Sequence, residues 1–304
     1  MKKIIIEKVK QTKLFNWWKK TFYLTNIRNY KNEYLDLREC EDCIKDLLLG
    51  KTTFMISRFG STELSLMKSY LKKDNYSNKQ RNIALNNAGI YPNNDKMLNT
   101  MVNEYLVSCE NIDLLGIWFN PYEDTIVNEH CKHAKITTLR NLEPYFSKNP
   151  WSHYLKDKKV LVIHPFSQSI DKQYLKRELL FKNQHILPEF TLITYSAIQS
   201  IGGNDEYESW FHALDKMKED ISKIDFDVAI IGAGAYGLPL ASYVKEIGKK
   251  AIHLGGATQM LFGVYGQRWA IHPDFQDIIN EHWVKPTPNE TPETAKNVEN
   301  ACYW

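Results

Sequence analysis

Apolar residues are gathered in six short runs along the chain: "TTFMISRFG" (52–60), "NIDLLGIWF" (111–119), "KKVLVIHPF" (158–166), "FTLITYS" (190–196), "DVAIIGAG" (227–234) and "KAIHLGG" (250–256). Each is close to continuously hydrophobic and is halted by glycine, proline or a polar cluster. Between them lie stretches with helical spacing, such as "YESWFHALDKMKEDISKI" (207–224). Strands with no polar alternation are buried on both faces, and their alternation with amphipathic helices predicts an α/β fold: a Rossmann-like, mostly parallel sheet flanked by helices.

The two ends read differently. Residues 1–50 are predicted helical, with Leu35, Leu37, Cys40, Ile44, Leu47 and Leu48 near one face and Gly50 as the stop. Ser61 is expected to cap a helix over 61–71, and further helices follow before residue 111, broken by "GIYPNND". Pro286, Pro288 and Pro292 forbid one regular helix at the other end, which predicts an extended arm, then a short helix, with "CYW" apolar enough to dock. The organisation expected is an N-terminal helical segment (1–50), an α/β domain (51–285) and a C-terminal arm (286–304).

Length and composition narrow the classes. At 304 residues with 43% apolar and 25% charged side chains, the chain can bury a sizeable core and is not disordered as a whole. A formal charge of +3 does not announce nucleic acid as a partner. The charge is uneven, however: residues 1–20 carry seven lysines against Glu7, interleaved with Trp17 and Trp18. That mixture suits either an anionic membrane surface or an amphipathic helix packed on the domain. No apolar run is long enough to span a bilayer, and "IIIE" is too short for a signal-peptide core, so a cytoplasmic location is expected. Five cysteines in no regular framework fit reduced thiols; "CEDC" (40–43) and "HCKH" (130–133) each supply only part of a metal site.

Candidate chemistry sits at the strand ends. Gly232, Gly234 and Gly237 form GxGxxG after "DVAII", with Pro239 in the first turn of the following helix. Free N–H groups at such a helix start can hold phosphate, or the glycines can serve close packing of helix on strand. The dinucleotide version also needs an acid at the end of the next strand, where this chain has His253, and only one clear strand follows, so NAD is disfavoured. "HPFSQSIDKQ" offers Ser167, Gln168 and Ser169, and "HLGGATQ" offers Gly255, Gly256, Thr258 and Gln259, as polar or close-approach positions at two further strand ends. With Tyr236 inside the glycine loop, these loops are expected to line one ligand cleft.

The other concentrated signal is "ISRFGSTEL" (56–64). A strand delivers Arg58 to its end, Gly60 turns the chain, and Glu63 enters the first helical turn. A guanidinium fork suits diphosphate oxygens, and a carboxylate can hold a divalent ion or a sugar hydroxyl. A capping arrangement with Arg58 paired to Glu63 accounts for the same residues.

Taken together, these stretches resemble the GT-D-fold glycosyltransferases of bacterial surface-polysaccharide and glycoprotein assembly. In that family an early "R-[FY]-G-D-G-E" stretch carries a DxE motif tied to metal and sugar-nucleotide binding. Arg58, Phe59, Gly60 and Glu63 match in place, and the resemblance continues through "VLVIHPFSQSI", "ESWFHALDKM", the glycine loop and "EHWVKPTPNETP", covering roughly residues 50–304. The family's Asp is Ser61 here and its following Gly is Thr62. A serine hydroxyl is a poor ligand for Mn2+ or Mg2+, which leaves Glu63 to bind a metal alone, or Arg58 and helix N-termini to neutralise a diphosphate instead.

What the resemblance implies is transfer of a sugar from a nucleotide donor, with a UDP-sugar favoured, to a glycan or lipid-linked acceptor. Arg58 and Glu63 are the expected catalytic residues. Gly60, Ser61 and the three loops are the expected donor contacts, and Asp205, Glu206 or Glu208 is a candidate general base. A nucleotide-binding scaffold without transferase chemistry is the alternative.

Overall fold

The structure is a computed structural model that describes residues 25–201, 206–298 and 301–304. The basic stretch at 1–20 and Asp205 lie outside the described residues, so the membrane expectation has no structural counterpart here.

Seven strands form one sheet: β1 (Phe54–Arg58), β2 (Leu114–Ile117), β3 (Lys135–Thr138), β4 (Lys159–Ile163), β5 (Thr191–Tyr195), β6 (Val228–Ile231) and β7 (Lys250–His253). Their order is β3-β2-β1-β7-β6-β4-β5, and every pairing is parallel. Six of them are the six apolar runs. The seventh, β3, escapes the hydrophobic pattern because "KITT" is short and an edge strand needs only one apolar side. Its outer edge is covered by the chain at 33–35: Leu35 N–H donates to Ile136 O and Ile136 N–H to Glu33 O, both at 2.8 Å. That extended passage corrects the expectation of helix throughout residues 1–50.

The helix there, α1 (Leu37–Leu49), begins at Asp36, whose side chain and that of Glu39 form a reciprocal cap. Cys40, Ile44 and Leu48, four residues apart, make its buried face. The remaining helices used below are α2 (Ser61–Leu71), α3 (Asn78–Ala88), α4 (Asp95–Cys109), α5 (Glu123–His130), α6 (Ser167–Tyr174), α7 (Trp210–Ser222), α8 (Gly237–Glu246) and α9 (Ala257–Leu261). Gly60, not Ser61, occupies the N-cap of α2, and Ser61 is its first residue.

Successive strand residues feed two cores. Met55, Leu161, Ile163, Ala229 and Ile231 meet α2, α3, α4, α7 and α8 on one face. Phe54, Ile56, Val160, Val162, Val228 and Ile230 meet α1, α6 and α9 on the other. The connection leaving β4 therefore crosses one face through α6, while that leaving β6 crosses the opposite face through α8. Their carboxyl-end loops part, and a doubly wound sheet opens its ligand crevice at such a divergence. β7 returns to the middle of the sheet and pairs with β1, Met55 opposite Ala251. The late glycine-bearing unit thus abuts the strand carrying Arg58.

The C-terminal stretch turns twice in 3-10 form, at Pro288–Glu290 and Glu293–Asn297. Its end docks as its composition predicts: Trp304 Nε1 donates to Glu290 O at 3.0 Å, and its ring lies 5.9 Å from that of Phe166.

Candidate functional site

A cavity of about 590 Å³ opens at the carboxyl ends of β1, β4, β5, β6 and β7. Arg58, Gly60, Ser61, Glu63, Gly232, Gly234, Tyr236, Gly255 and Gly256 all line it, so the structure brings together the early motif and two of the three expected loops.

Arg58 ends β1 and is half-buried. Its guanidinium lies 5.0 Å from the ring centre of Trp118, a cation–π contact, while its Nε is buried without a hydrogen-bond partner. No ion pair joins it to Glu63 among the described residues, so the capping account that pairs them is not the one the fold adopts. An unneutralised guanidinium inside a cleft is a standing demand for an anion. Gly255 makes room for it. That residue has φ +60, and a Cβ there would stand 3.3 Å from Arg58 Nη1, so any side chain would be strained and would crowd the cation.

Glu63 is 8% exposed and folds back over its own helix start, with Oε2 where a Cβ on Gly60 would be. Burial pushes its carboxyl up from the ordinary range; its own backbone N–H and the Arg58 charge pull the other way but less strongly. Among the described residues it is the only carboxylate side chain lining the cleft.

Two helix starts adjoin this region and differ in what they have to offer. The chain winds through a 3-10 turn at Gly234–Tyr236 directly into α8, and no side chain caps either. Tyr236 and Gly237 give their N–H groups to Ala233 O and Gly234 O, and Pro239 has none, so what this end presents to the cleft is the turn at 233–235 with the positive pole of the helix behind it. The start of α6 is already occupied. Ser169 N–H donates to Glu290 Oε1 at 3.0 Å and its hydroxyl to Glu290 Oε2, while Gln168 points to solvent. Ser167, Gln168 and Ser169 are therefore outside the cleft lining, because a carboxylate from the C-terminal stretch already satisfies that helix end. Thr258 is outside it too, its hydroxyl donating to Ile231 O at 3.1 Å. Gly237 serves packing: a Cβ there would stand 2.3 Å from His253 Nε2. Gly232 lines the cavity but is packed as closely, a Cβ there standing 2.6 Å from His164 Cδ2, and its N–H donates to Ile163 O at 2.9 Å; around Gly234 a Cβ would meet nothing within 4 Å.

His164 and His253 follow β4 and end β7, both in the cleft wall. Burial pushes each down to about 3, with the Arg58 charge adding at His253, so both are neutral at pH 7. Phe166 N–H donates to His164 Nδ1 at 3.0 Å, which puts the His164 proton on Nε2. His253 Nδ1 lies 2.9 Å from Ser57 Oγ. Tyr236 stacks on Trp210 at 5.0 Å and meets Ser200 Oγ through its hydroxyl at 2.5 Å, so it holds up a wall rather than reaching into the space.

Glu206 and Glu208 are exposed and absent from the lining; the loop that carries them runs along the surface ahead of α7. The sequence reading missed Trp118, Asn87, Arg268, Tyr303 and Trp304, all of which line the cavity. Trp118 reaches it because Glu123, fully buried, gathers the N–H groups of Trp118 at 3.2 Å and Asn120 at 3.0 Å and shapes the loop after β2. An aromatic residue just past a buried strand was the available signal.

A divalent ion such as Mn2+ or Mg2+ requires several oxygen ligands. One carboxylate lines the cleft, and among the described residues no cluster of three or more Asp, Glu, His or Cys could hold a metal. The donor set does not fit a protein-built metal site, at Glu63 or at the cysteine and histidine motifs.

The GT-D fold-like domain family matches residues 35–261. The chain belongs to that family. Its parallel sheet and flanking helices accordingly have the GT-D-like fold. Two solved structures are similar at 13% identity: one described as "Selenomethionine substituted structure of domain of unknown function 1792", with a TM-score of 0.47 over 79% of this chain and 83% of that one. The other, "The highly conserved domain of unknown function 1792 has a distinct glycosyltransferase fold", gives 0.44 over 78% and 83%. No curated protein matches the chain.

Proposed function

We propose that the protein transfers a sugar from a nucleoside diphosphate donor, UDP-sugar first among them, to a glycan or lipid-linked acceptor of bacterial surface polysaccharide. The observation that carries this reading is the unpaired Arg58 guanidinium in the same cavity as the uncapped start of α8. A fixed cation and the positive pole of a helix whose start carries no side-chain cap are complementary to a diphosphate and cost little reorganisation when charge develops on it.

In the transfer, the acceptor oxygen forms a bond to the anomeric carbon of the donor sugar while the bond from that carbon to the diphosphate oxygen breaks. The electron pair leaves with the nucleoside diphosphate, and Arg58 and the backbone of the Ala233–Ala235 turn ahead of α8 stabilise it. The acceptor proton passes to Glu63, the one carboxylate side chain in the cleft among the described residues, whose raised pKa makes it a better base than an exposed glutamate. His164 Nε2–H is a neutral donor for a phosphate or sugar oxygen. The donor charge is neutralised without a metal. The lysine- and tryptophan-bearing residues 1–20 suit an acceptor held at an anionic membrane surface.

The test is a thermal-shift series with UDP, GDP, CDP, NAD and S-adenosylmethionine, each with and without Mn2+, because a ligand selective for the folded state raises its apparent stability. A shift with one nucleoside diphosphate that disappears in Arg58→Ala is expected. A well-folded sample that responds to none at millimolar ligand rules the reading out.

A further inference from the structure

A second hollow of about 200 Å³ lies beside the cleft, between α2 and α3. Leu66 and Ile83 form its apolar wall, with Ser65 and Gln80 beside them. Gln80 is fully engaged: its Nε2 donates to Ser65 O and Oγ at 3.1 Å and to Ser69 Oγ at 2.8 Å, and its Oε1 accepts the Ser77 N–H at 3.0 Å. These bonds tie α2 to α3, so the hollow has fixed walls.

Three residues, Ser61, Thr62 and Asn87, line both the hollow and the main cleft. Their side chains have no hydrogen-bond partner among the described residues. No charged side chain lines the hollow, whereas Glu63, next in sequence to Thr62, lines the cleft. Two hydroxyls and an amide left unpaired, facing an aliphatic wall and no charge, are complementary to a neutral pyranose, which offers hydroxyls on its rim and C–H groups on its face. Ser61 and Thr62 are also the two positions at which the chain departs from the family pattern quoted above. The substitutions that leave the cleft one carboxylate supply two free hydroxyls in exchange.

We infer that this hollow is the acceptor subsite and holds a neutral terminal sugar, presenting one of its hydroxyls beside Glu63. The inference rests on the transferase reading for the word acceptor, but the sugar site itself can be tested separately.

Saturation-transfer NMR on the full chain, with the methyl glycosides of glucose, galactose and N-acetylglucosamine as probes, reads binding without any donor. At least one glycoside gives a signal in the wild type, and Ile83→Trp, which fills the hollow from α3, abolishes it. Thr62→Val with Asn87→Ala, which removes polar atoms and adds no bulk, weakens it about tenfold, the effect expected for one or two neutral hydrogen bonds. Arg58→Ala keeps the glycoside signal and loses the UDP response. No signal from any of the three glycosides, or a signal unchanged in both hollow variants, overturns the inference. A wild type that ignores every nucleotide yet loses its glycoside signal in the hollow variants overturns the donor reading and leaves the hollow standing as a sugar site.

Discussion

Glu290 closes the start of α6, accepting the Ser169 amide N–H at 3.0 Å and the Ser169 hydroxyl through its other oxygen. The same carboxylate takes Thr287 N–H at 3.1 Å and Thr287 Oγ1–H at 2.8 Å, so one buried side chain fastens the C-terminal stretch to the domain. Glu290→Ala is therefore expected to cost about 1.5–3 kcal/mol, the range for hydrogen bonds to a charged group, and Ser169→Ala less. Urea unfolding of the two single variants and the double variant checks this. If their effects simply add, the contact is not a coupled one.

That contact also marks a limit of reading the sequence. The apolar runs made six strands legible, because burial on both faces leaves no other pattern, and the GxGxxG spacing located a loop that does line the cleft. Ser167–Ser169 has the same local appearance, yet what decides its fate is a glutamate 121 residues away from Ser169. Gly237 fits the motif equally well and serves His253, a partner supplied by the neighbouring strand. Arg58 and Glu63 were legible because strand, turn and helix start are contiguous. Trp118 was not, since its position against Arg58 depends on β1 and β2 lying side by side.

Because Arg58 has no ion-pair partner among the described residues, Arg58→Ala is expected to leave the unfolding free energy nearly unchanged while weakening nucleoside diphosphate binding by one to two orders of magnitude, about 1.4–3 kcal/mol. Arg58→Lys keeps the charge without the fork and falls between the two. Calorimetric titration with the responsive nucleotide measures both. A large loss of stability in Arg58→Ala would show that the guanidinium holds up the fold instead.

Glu63→Gln preserves shape and removes the base. Transfer to acceptor is expected to fall by about 10²–10⁴-fold, the usual range for general-base loss, with nucleotide affinity kept within a few-fold. Equal losses in affinity and turnover would assign Glu63 to donor binding.

His164 and His253 make a prediction in acid. Both are pushed down from 6.5 to about 3, so the folded state refuses protons that the unfolded chain accepts. Their contribution to stability is complete above pH 6.5 and is lost as the pH falls toward 3. Between pH 6.5 and 5 this contribution should fall with a slope approaching ~1.4 kcal/mol per pH unit for each histidine, partly offset by buried carboxyls such as Glu143, held up at about 7, which take up protons in the folded state first. Replacing both by glutamine should flatten that slope, measured by urea unfolding at half-unit intervals. An unchanged slope would mean that the two imidazoles take up protons in the fold.

Among the described residues one carboxylate side chain lines the cleft and no cluster could hold a divalent cation, so EDTA is expected to leave the nucleotide response as it is and Mn2+ to add less than about twofold. Ser61→Asp gives the converse test. It places a second acid two residues from Glu63, at the first position of α2. Without metal the added charge should weaken diphosphate binding a few-fold, in line with ~1 kcal/mol for like charges in solvent. With Mn2+ the two acids and the diphosphate can share the ion, and affinity should recover past the wild-type value. Wild-type binding that collapses in EDTA would require a metal ligand beyond Glu63, and Ser61→Asp binding that ignores Mn2+ would mean that positions 61 and 63 do not converge on one ion.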